Sequence, residues 1–161
     1  MNRITLDVTL FGGGIAGLWT QARLQQQGYR TALLETQALG GIQSIASQGI
    51  IHGGAKYSLT GQAQPKGLHE QPDQWRACLA GNGILDLRQV HQLTQHQHLW
   101  TTTNLFAKLS GRVARHMLHS PMQALPRTAY PEPYNHPKFR GQLYQLDEPV
   151  LDTHSLSLIH I

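Results

Sequence analysis

The residues whose types and spacing could do chemistry sit near the start of the chain: Gly12-Gly13-Gly14-Ile15-Ala16-Gly17, and Glu35, 18 positions after Gly17. A glycine turn that opens a helix suits phosphate, because the first N–H groups of a helix lack intrahelical partners and carry the positive end of its dipole. Gly12 permits a tight turn out of a strand, and Gly14 leaves room for the backbone to approach a pyrophosphate. Gly17 lets the helix lie close against a sheet, while Ile15 and Ala16 belong to the helix N-terminus that presents its N–H groups. An acid ending the next strand accepts hydrogen bonds from a ribose diol. Glu35 therefore points to an adenosine ribose without a 2′-phosphate.

Such residues need a βαβ frame. Ile4–Phe11 (ITLDVTLF) is predicted as a strand, almost continuously apolar from Val8, as a strand buried on both faces would be. A helix is predicted from Ile15 to about Gln27, with Ile15, Leu18, Ala22 and Leu24 on its apolar side and Gly28 at its C-terminal stop. Thr31–Leu34 reads as a second buried strand, ending at Glu35. A GxGxxG run alone is weak, since glycine-rich turns also serve packing. Strand, turn, helix, strand and acid in that order point to dinucleotide binding. The motif itself leaves NAD and FAD open. The continuation, Leu39 to Tyr57, is small, polar and glycine-broken where a nicotinamide domain would pass into another helix and a third parallel strand. It suits backbone wrapped closely around a ligand.

On these residues the sequence resembles the FAD-dependent oxidoreductases of the D-amino-acid-oxidase superfamily. Ser47–Tyr57 (SQGIIHGGAKY) looks most like the glycerol-3-phosphate dehydrogenase branch, which shows Ile-His-Gly-Gly followed by a basic residue and Tyr. The 2-hydroxyglutarate dehydrogenase branch carries a related block. The resemblance implies FAD as cofactor, bound on its diphosphate side by Ser44 and the backbone around Ser47, Gln48 and Gly49. It implies that His52, Gly53 and Gly54 approach the isoalloxazine, and that Lys56 and Tyr57 meet an anionic group of a small-molecule substrate. Lys56 stands where the glycerol-phosphate branch usually has Arg, a point charge in place of a planar fork. Read without the resemblance, His52 has a plainer alternative as a hydrogen-bonded interior histidine, and Lys56 as a solvated surface lysine.

The composition bounds the rest. A chain of 161 residues, 40% hydrophobic and 14% charged, with 16 Gly, 8 Pro and one Cys, is the length of one ordinary domain. It excludes collagen, a coiled coil and a disulfide-stapled mini-domain. Cys78 has no partner in the chain and reads as a packing residue, so nothing points to an oxidising compartment. No apolar run approaches the roughly 20 residues of a membrane span, and the N-terminus does not read as a signal peptide. The expectation is a soluble, cytoplasmic protein. The isoelectric point near 9.5 rests on 13 Lys+Arg against 9 Asp+Glu, scattered along the chain. A nucleic-acid surface needs clustered cations, so no nucleic-acid partner is expected.

Beyond residue 58 the pattern is mixed. Residues 58–72 form a polar connector. Helices are predicted from Pro72 to Ala80 and from Asn104 to Met117, strands over Leu85–Thr94 and Gln142–Leu146, and a Pro-rich loop over Pro126–Pro137. His91, His96, His98, His116 and His119 lack accompanying carboxylates or cysteines at ligand spacing, so no metal site is assigned. The expected fold is α/β: a Rossmann-like FAD-binding βαβ domain over 1–58, then a connector and the beginning of an inserted α+β substrate domain over 59–156. Residues 157–161 read as a non-native tail. The family's late glycine-bearing segment is not recognisable, so the sequence reads as a truncated, N-terminal fragment. The function implied is oxidation of a small anionic hydroxy or amino compound by hydride transfer to flavin. No catalytic base and no electron acceptor is assigned, the fragment itself is expected to be inactive, and peripheral membrane association of the full-length enzyme is compatible with the resemblance. The alternative is a non-catalytic module that binds NAD or FAD.

Overall fold

The computed structural model of the chain describes residues 3–54, 66–101 and 122–158. It divides into two compact units: Met1–Ile50, Asp73–Leu93 and Leu151–Ile161 form the first, and Ile51–Pro72 with Thr94–Val150 the second.

The first unit opens with β1 (Val8–Phe11), α1 (Ile15–Gln26) and β2 (Thr31–Leu34). β1 and β2 are parallel, in the register Val8↔Thr31 to Phe11↔Leu34. Parallel neighbours need a crossover, and α1 supplies it. Arg30 closes the entrance to both strands: its guanidinium binds both carboxylate oxygens of Asp7 and its N–H donates to Asp7 Oδ2 at 2.8 Å. That pairing holds the Asp7 carboxyl below the usual carboxylate range. Helix α1 stops at Gly28, whose φ of +87° is the left-handed conformation that glycine adopts without steric cost. The strand is shorter than Ile4–Phe11, and it is not covered on both faces. Ile4 and Phe11 are each 81% exposed, and Leu34, opposite Phe11, is 52% exposed. Among the described residues this sheet has two strands, too few to be packed on both sides.

The core of this unit forms where α1 meets α3. The short α2 (Gly41–Ile45) comes first, within a stretch expected to be irregular; α3 (Gln71–Leu79), which begins one residue before Pro72 after a 3₁₀ turn (Leu68–Glu70) of the second unit, belongs to this unit from Asp73 on. Leu18 and Cys78 are buried, with the Trp19 and Trp75 rings 4.9 Å apart between centroids. Leu85, Leu87 and Val90 are buried as well, but not as a strand. The chain turns there: Leu87 N–H donates to the Cys78 carbonyl and Asp86 clasps Arg88, so only β3 (Gln92–Thr94) is extended. Leu85 and Leu87 are both buried in a turn whose backbone is tied to the end of α3, so their alternation mimics the strand pattern. Asp152 opens α4 (Thr153–Leu158), accepting the His154 N–H on its side chain.

The second unit contains an antiparallel sheet of β4 (Gln97–Thr101), β6 (Gln142–Leu146) and β5 (Met122–Ala124), with β6 in the centre. β7 (Val150–Leu151) follows β6 after a short turn. β6 agrees with the sequence expectation, whereas the predicted helix over Asn104–Met117, with His116 and His119, lies outside the described residues. Residues 126–137 form a loop with one 3₁₀ turn (Arg127–Ala129). Phe139 collects Trp100, Tyr130 and Tyr134 around its ring, and the Arg127 guanidinium lies over Tyr130 and Phe139. The Tyr130 hydroxyl accepts the buried Leu143 N–H of β6 at 3.0 Å. Tyr130→Phe leaves that donor without its partner at unchanged shape. A destabilisation of about 1–3 kcal/mol is expected, measured as a lower urea midpoint with unchanged slope.

Candidate functional site

The glycine turn after β1 is built as a set of close approaches. Gly12 has φ +101° and donates its N–H to the Leu34 carbonyl at 2.8 Å. A Cβ on Gly17 would collide with the Gly12 carbonyl oxygen and stand 3.5 Å from Leu33 Cδ1, so the glycine brings α1 against both the turn and β2. A Cβ on Gly14 would lie 3.3 Å from Ser44 Oγ. Gly13, to which the spacing argument gives no separate task, is as constrained as the others. Its Cβ would come within 2.8 Å of Leu39 Cδ2 and 3.1 Å of Glu35 Cβ. The signal for it was its place in the middle of three consecutive glycines.

Two further segments grip this turn. Glu35, immediately after β2, accepts the Gly13 N–H on Oε2 at 2.6 Å. Its Oε1 takes the N–H groups of Thr36 and Gln37 at 2.6 and 3.1 Å, and the Thr36 hydroxyl at 3.2 Å. A carboxylate offers about four lone-pair sites; Oε1 is saturated here and Oε2 keeps one. Next, Gly40 N–H donates to the Gly13 carbonyl at 2.7 Å. Ser44, on α2, then places its hydroxyl 3.0 Å from the Ile15 N–H at the start of α1. Ser44 and Glu35 thus converge on one six-residue turn from positions 29 and 22 residues away along the chain.

The helix start has the character of an anion site. No acidic residue lies in the first turn of α1 and Gly14 caps it without a side chain. Among the described residues, no hydrogen-bond partner is recorded for the N–H groups of Gly14, Ala16 and Gly17. These donors, glycine-bare backbone and the spare acceptor on Glu35 fit the diphosphate and ribose of a dinucleotide. An open cavity of about 250 Å³, lined by Gln37, Ala38, Gly41, Ile45 and Ala46, lies on the same unit.

Ser47 stabilises the turn that follows α2: its hydroxyl donates to the Ser44 carbonyl at 2.9 Å and accepts the Gly49 N–H at 3.4 Å. Gln48 is exposed. A Cβ on Gly49 would collide with the Leu151 carbonyl oxygen, and Gly49 in turn accepts the Leu151 N–H.

In the second unit, His52 and Gly53 lie beside Glu148, and Gly54 follows them with φ +94°. This carboxylate is 2% exposed, accepts the Gly53 N–H on Oε1 at 2.8 Å and has Oε2 3.3 Å from His52 Nδ1. The His52 side chain is 42% exposed, so it is not an interior histidine. Sequence reasoning missed Glu148; its only signal was the second of two acids, Asp147-Glu148, set between Leu146 and Pro149-Val150-Leu151. Lys56 and Tyr57 lie outside the described residues. Of the other histidines, His98 is on β4, His96 precedes it with Nδ1 3.5 Å from Asp147 Oδ1, and His91 uses its backbone to bind Asp152 and Ser155. Burial, and after it the His96 charge, pushes the His98 imidazole below the usual histidine range.

The donors on Glu35, Gly13 first and then Gln37 and Thr36, hold its carboxyl below the ordinary 4.5. A lowered folded value means that the hydrogen bonds stabilise the turn fully above the ordinary carboxylate range and are lost as pH falls through the lowered value. The Gly13, Thr36 and Gln37 amide resonances are therefore expected to titrate together with a midpoint under 4.5. Independent midpoints, or one at the ordinary value, would contradict this clasp.

Comparison with known proteins places this geometry. The model of the DAO family, FAD-dependent oxidoreductases, matches residues 7–158. The chain is 41% identical over 155 residues to the probable FAD-dependent oxidoreductase PA4991 of Pseudomonas aeruginosa, covering 95% of this chain and 40% of that protein. Against the crystal structure of PA4991 the TM-score is 0.76 at 34% identity, over 99% of this chain and 37% of that one. Glycine oxidase from Geobacillus kaustophilus shares the fold, with a TM-score of 0.65 at 20% identity, over 96% of this chain and 43% of that one. The chain thus spans about two fifths of the length of these relatives. With a model match over nearly all of its length and the glycine turn, parallel β1–β2 pair and acid in place, the chain belongs to the DAO family of FAD-dependent oxidoreductases, and its cofactor is FAD.

Proposed function

We propose that the whole protein oxidises a small anionic hydroxy or amino compound at the C–H beside its hydroxyl or amine. Bound FAD supplies the two-electron acceptor for the hydride that leaves this carbon. The observation that carries the reading is the glycine turn itself: open N–H donors at the start of α1, with a carboxylate keeping one free acceptor site beside them.

In this reading the chain's residues divide the cofactor between them. The backbone of Gly12, Gly14, Ile15, Ala16 and Gly17 faces the diphosphate, where the helix N-terminus favours negative charge. Ser44 adds a hydroxyl at the Ile15 N–H, and Ser47, Gln48 and Gly49 continue the same side. Glu35 Oε2 takes one ribose hydroxyl while still holding Gly13. His52 and Gly53 lie beside the isoalloxazine, and Lys56 with Tyr57 holds the substrate anion. For the compound oxidised, the support is the Ser47–Tyr57 segment, whose likeness to the glycerol-3-phosphate dehydrogenase branch favours a hydroxy compound with an anionic group that Lys56 meets. The oxidases of glycine found by structure share the fold alone at their level of identity.

The test is the visible spectrum of the chain after loading with FAD and removal of free ligand, beside Glu35→Ala and Glu35→Gln. Glu35→Ala removes every acceptor and is expected to weaken FAD retention at least tenfold, the effect of about 1.4 kcal/mol. Glu35→Gln should fall between, since an amide can serve Gly13 or the Thr36–Gln37 pair but not both. A folded wild-type chain, by circular dichroism, that retains no flavin would overturn the site.

A further inference from the structure

We infer that Glu148 is a positioning residue that sets the proton on His52: it fixes the imidazole as the Nδ1–H tautomer and leaves Nε2 bare as a proton acceptor. With Glu148 ionised, the geometry sets the polarity. Glu148 Oε1 lies 2.8 Å from the Gly53 N–H, a backbone donor that cannot become an acceptor, so that oxygen is committed. The second oxygen, Oε2, faces His52 Nδ1 at 3.3 Å and is an acceptor in the ionised carboxylate. Nδ1 must then carry the hydrogen. A neutral imidazole has one proton to place, and Nε2 is left without it.

Burial makes the arrangement durable. Glu148 is 2% exposed, so water does not compete for its two bonds, and removing either partner would leave a buried polar oxygen unpaired. His52, by contrast, keeps 42% of its side chain exposed, and among the described residues no hydrogen bond is recorded to Nε2. Gly53 is part of the device as well: a Cβ there would lie 3.1 Å from Pro72 Cγ, and the bare backbone can stay on the carboxylate. The buried acid thus acts outward through a ring that other molecules can reach. A bare Nε2 suits an incoming O–H or N–H, such as the hydroxyl or amine beside the carbon that is oxidised. That last consequence rests on the proposed function, in which His52 lies beside the flavin; the tautomer itself does not.

Glu148→Gln reverses the polarity without changing the shape. The amide oxygen stays on the Gly53 N–H, because the opposite orientation would set two donors against each other. The amide NH₂ then faces Nδ1, which must become the acceptor, and the ring proton moves to Nε2. Ring ¹⁵N resonances of His52 in the 161-residue chain read this directly at about pH 8, above the usual histidine range. Expected are Nδ1 protonated and Nε2 bare in the wild type, and the reverse in Glu148→Gln with the remaining amide spectrum unchanged. A wild-type ring protonated on Nε2, or on both nitrogens, overturns the inference, as does a folded Glu148→Gln chain with the wild-type tautomer. Should Glu148→Gln fail to fold, the wild-type ring decides alone. FAD retention on the same wild-type sample is a separate readout, so loss of the flavin reading leaves the tautomer result standing, and the reverse.

Discussion

The carboxylate of Glu35 closes the N-terminal unit by accepting donors from both sides of the sheet's exit. One oxygen takes the Gly13 N–H that follows β1, and the other takes the Thr36 and Gln37 N–H groups that follow β2. Glu35 is only half-buried, so this is not a strong electrostatic contact in the way a fully buried pair is. Its importance is geometric. Three backbone donors that would otherwise turn to water are aimed at one group, and the turn after β1 is drawn to the loop after β2. The absence of side chains on Gly13 and Gly17 is what permits the approach, since a Cβ at either position would strike Glu35 and Leu39 or the Gly12 carbonyl. Ser44 and Gly40 then hold the same turn from the following segment.

A second carboxylate uses the same chemistry in the opposite environment. Glu148 also accepts a glycine N–H, from Gly53, but it is buried and has a histidine on its other oxygen. A half-buried carboxylate with a spare lone pair can meet a ligand itself. A buried one cannot, and can influence a ligand only through the group that it holds. The two acids therefore have different parts to play: Glu35 shapes a backbone cradle and remains available, whereas Glu148 orients a side chain and is hidden behind it. Both have a glycine N–H among their donors, and in each case a Cβ on that glycine would crowd a neighbour: Leu39 and Glu35 at Gly13, Pro72 at Gly53.

Much of the cradle was legible along the chain because its parts are local. Strand, glycine turn, helix and acid lie within about thirty residues, the scale on which hydrophobic period, helix stops and turn residues are readable. Gly28 ended α1 where expected, and Thr31–Leu34 formed β2 before Glu35. The errors have a common cause. Leu85 and Leu87 alternate as a strand does, but the chain turns there and Leu87 N–H is tied to the Cys78 carbonyl. Val8–Phe11 is apolar enough for a strand covered on both faces, yet burial is a property of neighbours, and Phe11 stands exposed.

Residue types and spacing by themselves determined the βαβ order, the glycine turn and the acid that follows it; the choice of a flavin over a nicotinamide cofactor came from the resemblance of the following segment to a known family. Tertiary structure alone decided which atoms those residues offer. Ser44 reaches Ile15 across 29 residues and Glu148 reaches His52 and Gly53 across 96 and 95. No periodicity encodes contacts of that span. They exist because the folded backbone brings distant segments within hydrogen-bond range, where the partner that each donor finds depends on the path of the whole chain.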